Sequence, residues 1–291
     1  MIPAELIRKI RQLQIRTKRV VNDLFAGQYH SAFRGRGMEF EEVSPYTIGD
    51  DVRLIDWNVS ARYGEPFIKK FREERELTVM LVVDASGSGL FGSTRQYKLD
   101  FAAELCAVLA FSAIRSNDKV GLILFTDRVE KYVPAKKGTQ HVLRIIRELL
   151  YFEPAGRGTN IPEALGFLNR VTRRKSVCFL VSDFLADGYE FAVRIARRRH
   201  DLIPIVISDP REWTLPRIGF VEMQDPETGE IALVDTGNRR VRERFAADRR
   251  LAAERRTTLF RRIDTEVIDL RTDESYVEPL VRFFRKRERR R

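Results

Sequence analysis

Residues 77–88 read LTVMLVVDASGS, and this stretch decides the fold. Leu77–Val83 is an unbroken apolar and β-branched run, the pattern of a strand covered on both faces. It leads straight into Asp84, then Ala85-Ser86-Gly87-Ser88. A carboxylate followed by hydroxyls at alternate positions therefore stands at the carboxyl end of a buried strand. Open α/β sheets bind their ligands at that place.

Working outward, the same pattern recurs. VGLILF (Val120–Phe125) and VCFLV (Val177–Val181) are further buried strands. Helical spacing covers Tyr97–Ser116, Gln140–Phe152, Tyr189–Arg199, Arg239–Arg262 and Tyr276–Arg287. Pro162 opens another helix that reaches about Thr172, where its missing N–H is no loss. Val129–Val133 reads as a short edge strand and Glu266–Leu270 as the last strand. In LIPIVI (Leu202–Ile207), Pro204 argues for an edge position or a bulge. Residues 217–236 read as a hairpin with the turn PETG (Pro226–Gly229) at its tip. Strands alternating with helices give an α/β fold, a parallel-dominated sheet sandwiched by helices.

Before this region, residues 4–25 follow an amphipathic helical pattern through Leu6, Ile7, Ile10, Leu13, Val20, Val21 and Leu24. Residues 26–75 are punctuated by Gly27, Gly35, Gly37, Pro45, Gly49, Gly64 and Pro66, which predicts turns and short strands rather than helices. The expected organisation is a basic helix over 1–27, a strand-rich segment over 28–75, a main domain over 76–273 carrying the hairpin 217–236, and a basic helix over 274–291.

Charge follows this division. The net charge is +11, with six Lys/Arg against two Asp/Glu in residues 1–30 and eighteen against ten in residues 238–291. The middle is close to neutral. Basic ends suit nucleic acid, anionic lipid or an acidic protein, although solvated Arg-rich helices such as those bearing Arg255-Arg256 and Arg261-Arg262 are the plainer reading. There is no helix-turn-helix, zinc-finger or RNA-recognition signature, so no specific nucleic acid is expected. Cys106 and Cys178 lie in apolar runs and read as buried thiols. The longest apolar stretch, Leu105–Ile114, is too short to span a bilayer, and the first residues lack a signal-peptide core. A cytoplasmic protein is expected, with peripheral membrane contact through the first helix as the variant.

Three loops carry hard oxygen ligands: Asp84-Ala85-Ser86-Gly87-Ser88, Gly156-Arg157-Gly158-Thr159-Asn160 and Ser182-Asp183. A parallel sheet brings such loops to one edge. Two carboxylates and three hydroxyls suit Mg²⁺, which takes oxygen ligands and keeps several waters. Few direct carboxylates leave such an ion seeking one more anionic ligand. These residues are also adequate helix caps, and Gly156–Thr159 is an acceptable turn. No Gly-Lys-Ser/Thr follows it, which excludes a P-loop.

DASGS, GTN and SD in this order resemble the metal-ion-dependent adhesion site of von Willebrand factor A-type domains, with the strand and helix order matching over roughly residues 77–270. The resemblance implies that Asp84, Ser86, Ser88 and Thr159 surround Mg²⁺ (or Mn²⁺), that Asp183 acts through water, and that a partner's Glu or Asp completes the shell. Glu39-Phe40, Tyr46, Gly49-Asp50-Asp51, Arg53, Ile55-Asp56-Trp57 and Ala61-Arg62 resemble the segment preceding this domain in the bacterial domain-of-unknown-function family 58. That resemblance implies an adaptor, not an enzyme, working with a MoxR-type AAA+ ATPase or its client in protein maturation. Gly89 stands where the family has Met, and Val43-Ser44-Pro45 where it has Leu-Arg; neither removes a ligand.

Two other functions compete. A Mg²⁺-dependent phosphatase also begins with Asp at a strand end, but needs a second Asp where this chain has Ser86, and a Lys near the metal for which no candidate stands out. Nucleic-acid binding through the basic ends is the other. Asp50, Asp51, Arg53, Asp56 and Trp57 form either a second functional surface or, preferably, an ion-pair network. His30, His141 and His200 form no triad, and Trp213 between Pro210 and Pro216 reads as a loop anchor.

Overall fold

The computed structural model describes residues 29, 32–33, 38–73, 76–94 and 96–290. The amphipathic helix expected over residues 4–25 and the basic helix 1–27 lie outside them, as do His30 and Gly35–Gly37. The chain forms two compact units, one of residues 33–77 and one of the remainder.

In the smaller unit, strand β1 (Met38–Pro45) pairs antiparallel with β2 (Phe67–Glu73), with a register shift between Phe40 and Glu42. Between them lies a helix that the Gly and Pro punctuation did not predict, α1 (Trp57–Tyr63). Its ends explain it. Asp56 accepts from the backbone N–H groups of Asn58 and Val59, and Gly64 closes the helix in the left-handed conformation. The acids of this segment close turns. Asp50 accepts from the Thr47 N–H and hydroxyl, and Asp51 from the Arg53 N–H. Asp56 also pairs with Lys69 at 3.3 Å.

In the larger unit six strands form one sheet: β3 (Thr78–Asp84), β4 (Lys119–Phe125), β5 (Val129–Lys136), β6 (Val177–Ser182), β7 (Asp201–Ser208) and β10 (Ile268–Arg271). The order is β10-β7-β6-β3-β4-β5, parallel except for β5 at one edge. From β3 the chain winds one way through β4 and β5, then returns to build β6, β7 and β10 on the other side. The switch point falls between β3 and β6. A separate hairpin, β8 (Phe220–Gln224) with β9 (Ile231–Asp235), follows β7.

Helices cover the sheet: α2 (Lys98–Arg115), α3 (Thr139–Leu150), α4 (Ile161–Val171), α5 (Glu190–Arg199), α6 (Arg239–Arg262) and α7 (Val277–Arg289). Alternation along the strands divides the core. Met80, Val82, Cys178 and Leu180 pack with Ile161, Leu165, Leu168, Val193 and Phe260 of α4, α5 and α6. Val79, Leu81 and Val83 face the opposite way, and α2, with most of its residues buried, packs on β3. Both cysteines are fully buried, and burial pushes the Cys106 thiol up to about 12 and Cys178 higher still.

Pro204 corrects one expectation. Its strand, β7, is interior, flanked by β6 and β10. The ladder with β10 begins only at Ile205↔Ile268, so on that flank the sheet asks nothing of residue 204. Among the described residues no helix is long and apolar enough to cross a membrane.

Candidate metal centre

The three oxygen-bearing loops meet at the switch point. Val83 pairs with Val181, so Asp84 and Ser182 leave β3 and β6 side by side. The Ser182 hydroxyl donates to Asp84 Oδ2 at 2.7 Å, and the Ser86 N–H donates to Oδ1 at 3.0 Å. The Ser86 and Ser88 hydroxyl oxygens stand 3.1 Å apart. Both serines are buried, as are Asp84 and Asp183. Thr159 arrives from the second loop, its hydroxyl 3.5 Å from Asp84 Oδ2. All five residues expected from the sequence are therefore together.

Local devices fix the second loop. The Asn160 N–H donates to the Thr126 carbonyl at 2.7 Å, tying Thr159 to the end of β4. Asn160 also caps α4 by accepting from the Glu163 N–H. Glu130 accepts from the Gly156 N–H at 2.7 Å and from the Thr126 hydroxyl at 2.8 Å. The Gly87 N–H donates to the Arg157 carbonyl at 2.8 Å, joining the first loop to the second. After Asp183, Phe184 adopts a left-handed conformation, φ 55°. That is costly for a bulky residue, and edge-to-face packing on Tyr189 and Phe260 holds it there.

Lys98 is the residue that sequence reasoning missed. At the start of α2 it is 4% exposed, and its ammonium pairs with Asp183 Oδ2 at 2.7 Å and with Glu212. A lysine in the first turn of a helix reads as solvated in sequence; only the fold turns it inward. Burial works against both charges, but the pairing wins: Lys98 is held above its ordinary pKa and Asp183 below the usual carboxylate range. The remaining Asp183 oxygen accepts from the Leu185 N–H at 3.2 Å. Among the described residues no cation pairs with Asp84 in this way. Burial, then the Asp183 charge, pushes it up to about 7.

A second miss is Glu227, in the PETG tip read only as a turn. The Thr159 hydroxyl donates to Glu227 Oε1 at 2.8 Å. Its carboxyl is raised chiefly by burial, with Asp183 adding to the effect. The solvated reading also fails for Arg256, whose side chain is 11% exposed and donates to the Asp183 carbonyl at 3.4 Å.

The donor set fits a hard cation. It is all oxygen, and the 3.1 Å between the two serine oxygens matches the roughly 3 Å edge of an octahedron with bonds of about 2.1 Å. Behind Asp84 and Ser88, on the Lys98 side, a cavity of about 20 Å³ is lined also by Leu99, Ala102, Val181 and Ile207, while Ser86 and Thr159 lie outside it. Among the described residues no three His, Cys, Asp or Glu side chains form a metal-binding group. Hydroxyls and water would make up most of the shell.

The sequence profile described as "Protein of unknown function DUF58" matches residues 42–256. The chain belongs to the DUF58 family. An uncharacterized protein of Mycobacterium tuberculosis (strain ATCC 25618 / H37Rv) is 31% identical to this DUF58 protein, over 98% of this chain and 90% of the relative. Among solved structures, the conserved hypothetical protein BatB from Bacteroides thetaiotaomicron is similar with a TM-score of 0.48 and 18% identity, covering 73% of this chain and 99% of that one. The SpRpn10 VWA domain gives a TM-score of 0.38 and 13% identity, covering 70% and 93%. Likeness at this level says nothing of what the DUF58 chain binds.

Proposed function

We propose that this DUF58 protein is a cation-dependent protein-binding module that captures an acidic side chain of a partner, and that it serves as an adaptor for a MoxR-type AAA+ ATPase or its client in the cytoplasm. The convergence of Asp84, Ser86, Ser88, Thr159 and Asp183 on one oxygen-lined cup carries this reading. Asp84, Ser86, Ser88 and Thr159 would hold Mg²⁺ or Mn²⁺, and Asp183, engaged by Lys98, would act through water. The ion, when bound, supplies an electrophilic position for one further oxygen ligand.

The surroundings bear on which partner is accepted. A cleft of about 310 Å³ opens beside Asp183, and its lining carries both Arg249, Arg255 and Arg256 and Asp187, Glu190 and Glu212. With charges of both signs, the cleft would select what accompanies the captured side chain.

Lys98 supplies the amine that a phosphatase reading lacked, and that is the observation in its favour. The amine is taken up between Asp183 and Glu212, however, and Ser86 offers no proton-transfer group beside Asp84. Capture remains the better account. Calorimetric titration of Mn²⁺ tests it. Asp84→Ala should weaken binding by more than the roughly 10–100-fold that loss of an outer-shell partner costs, with unchanged circular dichroism. Equal binding by wild type and variant would sink the proposal.

A further inference from the structure

The β8–β9 hairpin carries a carboxylate of this chain into the same cup. Thr159 Oγ1, which stands 3.5 Å from Asp84 Oδ2, donates to Glu227 Oε1 at 2.8 Å. The tip is a built turn. The Asp225 side chain accepts from the N–H groups of Glu227 at 2.8 Å and Thr228 at 3.0 Å. Asp225 N–H donates to the Glu230 carbonyl and Gly229 N–H to the Asp225 carbonyl, each at 2.8 Å.

Its backbone also packs on the DASGS loop. A Cβ added at Gly87 would fall 2.2 Å from the Pro226 carbonyl oxygen, so glycine there is what lets the tip approach. Gly229 lies over the second loop, where an added Cβ would meet the Arg157 guanidinium at 3.8 Å. Two of the three site loops therefore receive the tip.

We propose that Glu227 is the site's own carboxylate ligand: the hairpin tip closes the cation position from within the chain, and an acidic partner binds by displacing it. The proposal rests on the cation reading above. Without a cation, Glu227 and Asp84 meet at the Thr159 hydroxyl, and the Lys98 ammonium is taken up by Asp183 and Glu212, which leaves the repulsion between the first two unneutralised. A divalent ion among them converts the repulsion into attraction and holds the tip down. An external carboxylate then competes with a tethered one whose effective concentration is roughly millimolar.

The test titrates Mn²⁺ calorimetrically into wild type, Glu227→Ala and Asp84→Ala, each without and with acetate. Wild type should bind Mn²⁺ with an affinity indifferent to acetate below the roughly millimolar effective concentration of the tether. Glu227→Ala should bind about tenfold more weakly without acetate and recover as acetate is raised to tens of millimolar or so, above the tether's effective concentration. In wild type, Mn²⁺ should also slow hydrogen exchange at the Thr228 and Gly229 amides. Equal affinity and equal acetate dependence in wild type and Glu227→Ala would overturn the internal ligand while leaving the cation site standing. No Mn²⁺ binding by wild type, or by Glu227→Ala in acetate, would overturn the cation site and the internal ligand with it.

Discussion

Gly87 shows how much one missing side chain decides. Backbone, not a yielding side chain, stands where its Cβ would go. Gly87→Ala should lift the hairpin tip and speed exchange at the Thr228 and Gly229 amides about tenfold, within the roughly 1–3 kcal/mol that overpacking costs, while the sheet amides keep their protection. Lys98 sits at the opposite extreme, a long cation brought inside. Lys98→Met leaves Asp183 and Glu212 facing each other without their countercharge, and the urea midpoint should fall by the equivalent of about 3–5 kcal/mol. His200 supplies a pH signature. It is buried, its Nδ1 is 3.0 Å from the Ser176 hydroxyl, and Nε2 finds no partner among the described residues. Burial, with the Arg199 charge, pulls its pKa from 6.5 down to about 4. Between those values the unfolded chain binds a proton that the native one refuses. This contribution is complete above the unfolded pKa and is lost as pH falls toward the folded one. Native stability should therefore drop by about 2–3 kcal/mol from this group, and urea unfolding of His200→Gln should show a correspondingly flatter pH slope across the window.

At the scale of elements, caps decide what hydrophobic patterning leaves open. Helix α4 depends on Asn160, which also ties its own N–H to Thr126, so the cap and the site loop are one structure. Asn160→Ala should cost about 1 kcal/mol in thermal or urea unfolding and loosen Thr159 at the same time. Buried strands were legible because both-face burial writes itself as unbroken apolar runs, as in Leu77–Val83. Helix α1 was not, because Gly64 and Pro66 read as turns, whereas Gly64 is the cap of a short helix that Asp56 begins. Pro204 misled for a related reason. The rule concerns ladder partners, and a neighbouring strand as short as β10 simply starts one residue later.

For the whole molecule, the oxygen cup was legible wherever its residues lie next to strand ends, since a buried strand announces where its last residue goes. Glu227 and Lys98 were hidden because their places depend on how a hairpin and a helix settle over the sheet, which spacing does not encode. The basic C-terminal region makes a separate, non-specific statement. Of helix α6 only Phe260 is buried, so most of its arginines should hold the protein on heparin at low salt and release it steeply as salt rises. Asp84→Ala should elute at the same salt; a shift would tie that surface to the cup. The seating of the PETG tip has one more consequence, for crowded surroundings. A bare electrophilic ion on a protein surface would answer to any passing Asp or Glu. With a tethered rival already seated, a stray acidic residue offers nothing that Glu227 does not offer at shorter range. Only a ligand that brings further contacts, such as to the cleft beside Asp183, crosses the threshold, so the hairpin acts as a noise filter on what the module hears.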